Sequence, residues 1–175
     1  MNTGDNGRMR DNDEVDLIVE AWARARPDLT FDPLHVLSRV TRIAKHFNRI
    51  RQNAFNKSEL DSWEFDVLAA LRREGPPFAL SPKRLVSATM VSSGTMTNRI
   101  DRMAERGLVS RLTDPNDGRG VLVKMTPAGL TRVDAAITRL VDAEEALLGG
   151  LTHTEQARLG TLLRKLRISF DATDL

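Results

Sequence analysis

The stretch Ser92–Thr126, SSGTMTNRIDRMAERGLVSRLTDPNDGRGVLVKMT, decides the fold. Its first half reads as a helix capped by Ser92. Met96, Ile100 and Met103 fall on one side and must face a core, Thr95, Asn98 and Arg102 fall opposite, and Ser92 and Arg99 lie on a flank. Its second half reads as a hairpin, with strands around Val109–Thr113 and Gly120–Met125 joined by DPNDGRG, a run dense in turn formers. Val121, Val123 and Met125 alternate with Leu122 and Lys124, as a half-covered strand should. At the tip, Arg119 stands between Gly118 and Gly120. A polar helix followed by a basic-tipped ribbon supplies one element for a major groove and one for the neighbouring backbone or minor groove. The expected partner is double-stranded DNA.

Working outward, Ser81-Pro82 caps a short helix over Pro82–Ser87, and a turn through Thr89 and Met90 joins it to the helix at Ser92. Two short helices joined in this way form a helix-turn-helix. Upstream, Asp61 and Glu64 make a capping box with Leu60 and Phe65 as its staple. The helix they start buries some of Trp63, Val67, Leu68 and Leu71 and stops at Gly75-Pro76-Pro77. Earlier still, Val15, Ile18, Val19 and Trp22 mark a helix over Glu14–Arg26, and Leu37, Val40, Ala44, Phe47 and Ile50 mark a long one from Pro33 to near Phe55. Downstream, Thr126-Pro127 opens a long helix with Leu130, Val133, Ile137, Leu140 and Leu147, ended by Gly149-Gly150. A last helix follows the Thr152–Glu155 capping box through Leu159, Leu162, Leu163 and Leu166.

The fold class is therefore mainly α with a small β-wing: a winged helix-turn-helix with long N- and C-terminal dimerisation helices. Residues 1–12 are expected to be a disordered tail, 13–57 N-terminal helices for dimerisation and a ligand cleft, 58–126 the DNA-binding domain, and 127–175 C-terminal dimerisation helices. The terminal helices carry more apolar stripe than a small winged-helix core can cover, so the predicted outlet is a second copy of the chain in a homodimer.

Composition excludes several classes. With 175 residues, 41% hydrophobic and 29% charged, the chain reads as an ordinary globular protein. It has no apolar run of bilayer length and no signal-peptide core at its start, so a cytoplasmic location is expected. Zero cysteines exclude disulfides, thiolate metal sites and a cysteine nucleophile. His35, His46 and His153 are scattered without metal-ligand spacing, so neither an enzyme nor a cofactor is expected. The net charge of +2 says little, but Lys83 to Lys124 holds eight basic residues against four acids, and Arg39 to Lys57 holds six basic residues and no acid.

Ser92, Ser93 and Gly94 lie at a helix N-terminus that favours phosphate. Arg can pair with guanine edges, Asn with adenine, and Ser or Thr with phosphate or base; the sequence does not distribute these roles. Arg119 suits a narrow minor groove, and Asp117 is spaced to orient it.

The run Asp117-x-Arg119-x-x-x-Val123-x-Met125-Thr126, with Pro127-x-Gly129 after it, resembles the wing signature of the multiple-antibiotic-resistance regulator (MarR) family. Ser92–Thr97, then Arg99–Arg102, then Gly107-Leu108-Val109-x-Arg111, resembles that family's recognition helix and wing entry. The likeness runs from about Asp32 to the C-terminus. It implies a homodimeric repressor, with recognition helices in successive major grooves and wings in flanking minor grooves. The DNA-contacting set is then Ser92, Ser93, Thr95, Thr97, Asn98, Arg102, Asp117 and Arg119. Gly118 departs from the pattern, standing where many members carry the first Arg of an Arg-Arg pair.

The additional N-terminal helix resembles the urate-responsive subgroup, which implies an effector site from Trp22, Asp66, Arg99 and Arg111 and a small anionic aromatic effector such as urate. Trp can stack on a planar heterocycle and Arg can pair with an anionic oxygen. The same residues fit plainer roles. Trp22 continues the Val15/Ile18/Val19 stripe, Asp66 shares a face with Ser62, Ala69 and Arg73, Arg99 can meet phosphate, and Arg111 can pair with a nearby acid. A winged-helix protein-interaction module without ligand control is the alternative to a DNA-binding regulator. Salt dependence separates the two, because DNA binding releases counterions.

Overall fold

A computed structural model describes residues 12–115 and 117–171, with only the backbone of Gly118, Arg119 and Asp171. The chain divides into an N-terminal unit that ends at Ile50 and a second unit that begins at Arg51. Ten elements follow in order: α1 (Glu14–Ala25), α2 (Asp32–Asn56), α3 (Ser62–Glu74), β1 (Ala79–Leu80), α4 (Pro82–Thr89), α5 (Ser93–Glu105), β2 (Val109–Asp114), β3 (Asp117–Met125), α6 (Pro127–Leu148) and α7 (His153–Asp171).

In the N-terminal unit, Asp13 caps α1 by accepting from the backbone N–H groups of Val15 and Asp16, and Asp16 accepts in return from the Asp13 N–H at 3.0 Å. Arg39 of α2 reaches the carboxylates of Asp13 at 2.8 Å and Asp16 at 2.7 Å, and Arg42 reaches Glu14 at 3.1 Å. These guanidiniums, as hydrogen-bond donors and as neighbouring charges, hold the Asp13, Glu14 and Asp16 carboxyls below their ordinary titration range. Charge, and the buried Val15 and Val19, fasten this helix.

The second unit is built around an apolar core. Met96, Ile100 and Met103 of α5 are fully buried, as their spacing predicts, together with Val67, Leu68 and Leu71 of α3, Leu85 of α4, Val123 of β3 and Val133 of α6. The last turn of α2 contributes Phe55, stacked on Phe65 at 4.1 Å between ring centroids. Glu64 Oε2 accepts from the Asp61 N–H at 2.9 Å, as the capping pattern requires. Gly107, at φ +68°, ends α5 and lets the Leu108 N–H reach back to Met103 O at 2.9 Å. Gly129 answers a different need. A Cβ there would lie 2.4 Å from the Leu108 carbonyl oxygen, so only glycine lets the first turn of α6 press against the entry to β2.

The sheet runs β1-β3-β2, all antiparallel. Two features depart from the sequence reading. Strand β1 was not predicted; it pairs Ala79 with Lys124 and Leu80 with Val123. Its two residues are too few for alternation to register, and its partner lies over forty positions away. The predicted loop DPNDGRG is also largely strand, because β3 starts at Asp117 instead of Gly120. Thr113 faces Val121 but Asp114 faces Asp117, so residues 118–120 bulge outside the register. Gly120 belongs to that bulge: a Cβ there would come within 3.0 Å of Asp114 Cβ and 3.2 Å of Asp117 O. A smaller difference is the end of α4, which runs to Thr89 instead of Ser87.

Candidate nucleic-acid interface and effector cavity

Helix α5 presents its polar side outward. Thr95, Asn98, Arg99 and Arg102, with Gly94 and Trp63 of α3, line a shallow hollow of about 480 Å³. The Ser92 hydroxyl is committed to capping, accepting from the Thr95 N–H at 3.2 Å and lying 2.9 Å from its Oγ1. Thr97 Oγ1 donates back to the Ser93 carbonyl at 3.1 Å, a common local bond. Ser93, Asn98 and Arg102 are exposed, and Asn98 makes no side-chain hydrogen bond among the described residues. Of the predicted wing residues, Asp117 is exposed at the start of β3, while the Arg119 side chain lies outside the described residues.

The Trp63 indole is the part of this surface that sequence reading missed. It was grouped with core candidates of α3, yet it is only partly buried and carries two guanidiniums over its ring, Arg99 at 5.5 Å and Arg102 at 5.1 Å. The available signal was its place: a Trp two residues after the cap Asp61 stands on the first, half-open turn of a helix. Next to it, buried Glu64 pairs with Arg106, the C-cap of α5, whose other Nη donates to the Glu59 carbonyl at 2.7 Å. The start of α3 thus anchors the recognition helix.

Of the predicted effector residues in the second unit, Asp66 lines one cavity, while Arg99 and Arg111 engage other partners. Asp66 lines a cavity of about 620 Å³ with Arg51, Arg72 and Arg73 as its cations, and with Phe65, Val133, Ile137 and Leu140 as apolar wall. Arg99 is instead drawn over Trp63, and Arg111 is paired with Asp101 at 2.6 Å, so neither lines this cavity. Trp22 is half exposed in the N-terminal unit and stacks on Phe31 at 6.1 Å. Asp134 holds Arg72 at 2.8 Å and raises its pKa, and Phe78 lies 5.3 Å under the same guanidinium. Arg73 shares Asp66's helical face and is exposed; that shared face was the sequence signal for it.

A helix with an apolar inner face and a cationic outer face, followed by a two-stranded wing that joins a short third strand, defines a winged helix-turn-helix DNA-binding protein. A model described as MarR family matches residues 58–120. The chain is 33% identical over 153 residues to the HTH-type transcriptional regulator PecS of Dickeya dadantii, covering 87% of this chain and 92% of that one. Among solved structures it is similar to a mutant MarR from E. coli complexed with operator DNA (TM-score 0.64, 28% identity, 79% of this chain and 98% of that one). It is equally similar to BpsR of Bordetella bronchiseptica, whose structure concerns regulation of DNA binding by 6-hydroxynicotinic acid (TM-score 0.64, 30% identity, 79% and 97%). The chain belongs to the MarR family and is a DNA-binding transcriptional regulator. Among the described residues no helix is long and apolar enough to cross a membrane.

Proposed function

We propose that the chain acts as a homodimeric repressor on a dyad-related operator and is released from it by a small anionic aromatic molecule. The observation that carries the DNA half is the division of α5. Met96, Ile100 and Met103 are sealed in the core, while Asn98 and Arg102 stand outward and unengaged by any acid among the described residues. Thr95, Asn98 and Arg102 read the major groove, Ser92, Ser93 and Thr97 seat the helix end on phosphate, and the wing with Asp117 and Arg119 takes the flank. Arg102→Ala is expected to weaken operator binding by ~1–3 kcal/mol. A gel shift on the protein's own upstream DNA tests this, with salt raised in steps. Binding that ignores salt would point to a protein-interaction module instead.

Dimerisation is supported by uncovered apolar side chains in each unit: Leu17, Val36, Leu37 and Ile43 in the first, and Leu159, Leu162, Leu163, Ile168 and Phe170 of α7 in the second.

The effector half rests on the Asp66 cavity, which joins an apolar wall to Arg73 and Arg51, a fit for a planar anion. BpsR, with its link to 6-hydroxynicotinic acid, supports that chemical class. Release follows only if the ligand favours a lobe spacing that mismatches successive grooves. Urate and 6-hydroxynicotinic acid are the first probes. A ligand at a hundred times its Kd is expected to raise the melting temperature, reflecting ~2.7 kcal/mol of linkage. If millimolar amounts of either leave melting temperature and operator affinity unchanged, this half of the reading fails.

A further inference from the structure

We propose that Trp63 is a positioning residue for DNA recognition: its indole holds the guanidiniums of Arg102 and Arg99 in place on the outer face of α5 before DNA arrives. The inference rests on the assignment of Arg102 to the groove. Three observations converge on it. The ring carries both cations, at 5.1 Å and 5.5 Å. Its own plane is fixed, because Nε1 donates to Asp61 Oδ2 at 3.2 Å and the rest of the ring packs against the core. Neither arginine has a carboxylate within ion-pair distance among the described residues, so the aromatic face is what restrains them.

The physics favours binding DNA. A free arginine side chain must give up rotamer freedom to make a bidentate contact, and one already laid on a ring gives up less. An indole attracts the cation through its quadrupole and leaves the N–H fork available, whereas a carboxylate would occupy the fork. Two like charges share one ring, so they also repel one another. A phosphate or a guanine edge next to either of them relieves that repulsion. Residues 63 and 64 together thus hold Arg99, Arg102 and Arg106, the indole presenting two arginines and Glu64 tying down the third.

A double-mutant cycle on the full-length protein tests the proposal, with operator Kd read by anisotropy at fixed salt and melting temperature read in parallel. Trp63→Leu and Trp63→Met, which keep apolar bulk but remove the ring, are expected to weaken binding three- to tenfold. Trp63→Phe is expected to stay within about twofold of wild type. Placed on Arg102→Ala, Trp63→Leu should cost clearly less than it does in the wild-type protein, because one of the two arginines it holds is already gone. Wild-type Kd for both ring-less variants, or a full multiplicative loss in the double variant, would overturn the role of Trp63. The failures separate: Arg102→Ala with wild-type affinity breaks the assignment of Arg102 itself, whereas a weak Arg102→Ala beside neutral Trp63 variants breaks only this inference. A lowered melting temperature with unchanged Kd would identify Trp63 as packing alone.

Discussion

Helices α5 and α7 both carry apolar side chains at helical spacing but end in opposite conditions. The α5 residues Met96, Ile100 and Met103 are at most 2% exposed, while in α7 Leu162 is 56% and Phe170 58% exposed. Burial of α5 is supplied within the chain, by α3, α4 and the sheet. For α7 the same kind of stripe is left facing outward, and its covering surface has to come from elsewhere. Amphipathic periodicity therefore reports that a face is to be buried, and says nothing of which molecule buries it.

The largest expected effect breaks this comparison at α7. Leu162→Asp with Leu163→Asp removes two leucines from each of two protomers. At ~1.5–3 kcal/mol per fully buried leucine, and with about half of each of the four side chains left to bury, the proposed dimer loses ~3–6 kcal/mol, at least about a hundredfold in dissociation constant. Sedimentation is expected to show monomers at micromolar concentration, with α5's lobe still folded by circular dichroism. A dimer that survives both changes would mean that α7 is not the interface. The next effect lies on the α5 side. Gly129→Ala drives a methyl into the Leu108 carbonyl, a rigid backbone atom, and is expected to lower stability by ~1–3 kcal/mol in denaturant melts. An effect below about 0.5 kcal/mol would show that α6 shifts freely.

The contrast also explains what could be read in advance. The α5 face, the caps at Ser81, Ser92 and Thr126, and the helix order were legible because each depends on residues three or four apart. Strand β1 was not, since two residues acquire their strand character only from Val123 and Lys124 far along the chain. The hairpin bulge at 118–120 was hidden for a related reason: glycines announce a departure from regular backbone without saying whether it is a loop or a bulge. At the site, the outward face of α5 was readable, and so was an acid partner for Arg111, but the aromatic partner of Arg99 was not. Trp63 and Asp101 are brought to these arginines by tertiary packing, and a family resemblance that implies a shared ligand site does not show those partners.

A smaller effect sharpens the picture of the self-contained lobe. Met90 joins α4 to α5 in the left-handed region at φ +53°, with its side chain 92% exposed. A side chain pays steric strain there and gains little packing in return. Met90→Gly is expected to raise stability by ~0.5–1 kcal/mol, the reverse of a normal glycine substitution. A lower melting temperature would mean that the Met90 side chain is covered in the working molecule.

The smallest effect concerns the N-terminal unit, a third way of fastening a helix. Only Val15 and Val19 of α1 are buried, and Arg39 and Arg42 hold Asp13, Asp16 and Glu14 from α2. The carboxyl pKa values are lowered in the folded unit, first by the hydrogen bonds from those arginines. A lowered carboxyl pKa contributes stability that is complete above the ordinary values of 3.8 for Asp and 4.5 for Glu, and is lost as pH falls through the lowered values. These pairs are solvent-exposed, so screening keeps the effect modest and salt should weaken it further. Acid titration followed by amide exchange in α1 is expected to show faster opening below about pH 4, and Arg39→Gln should flatten that dependence without touching α5. If the acid response of α1 persists unchanged in the Arg39→Gln protein, the helix is held by its two valines, and its attachment resembles that of α5 on a smaller scale.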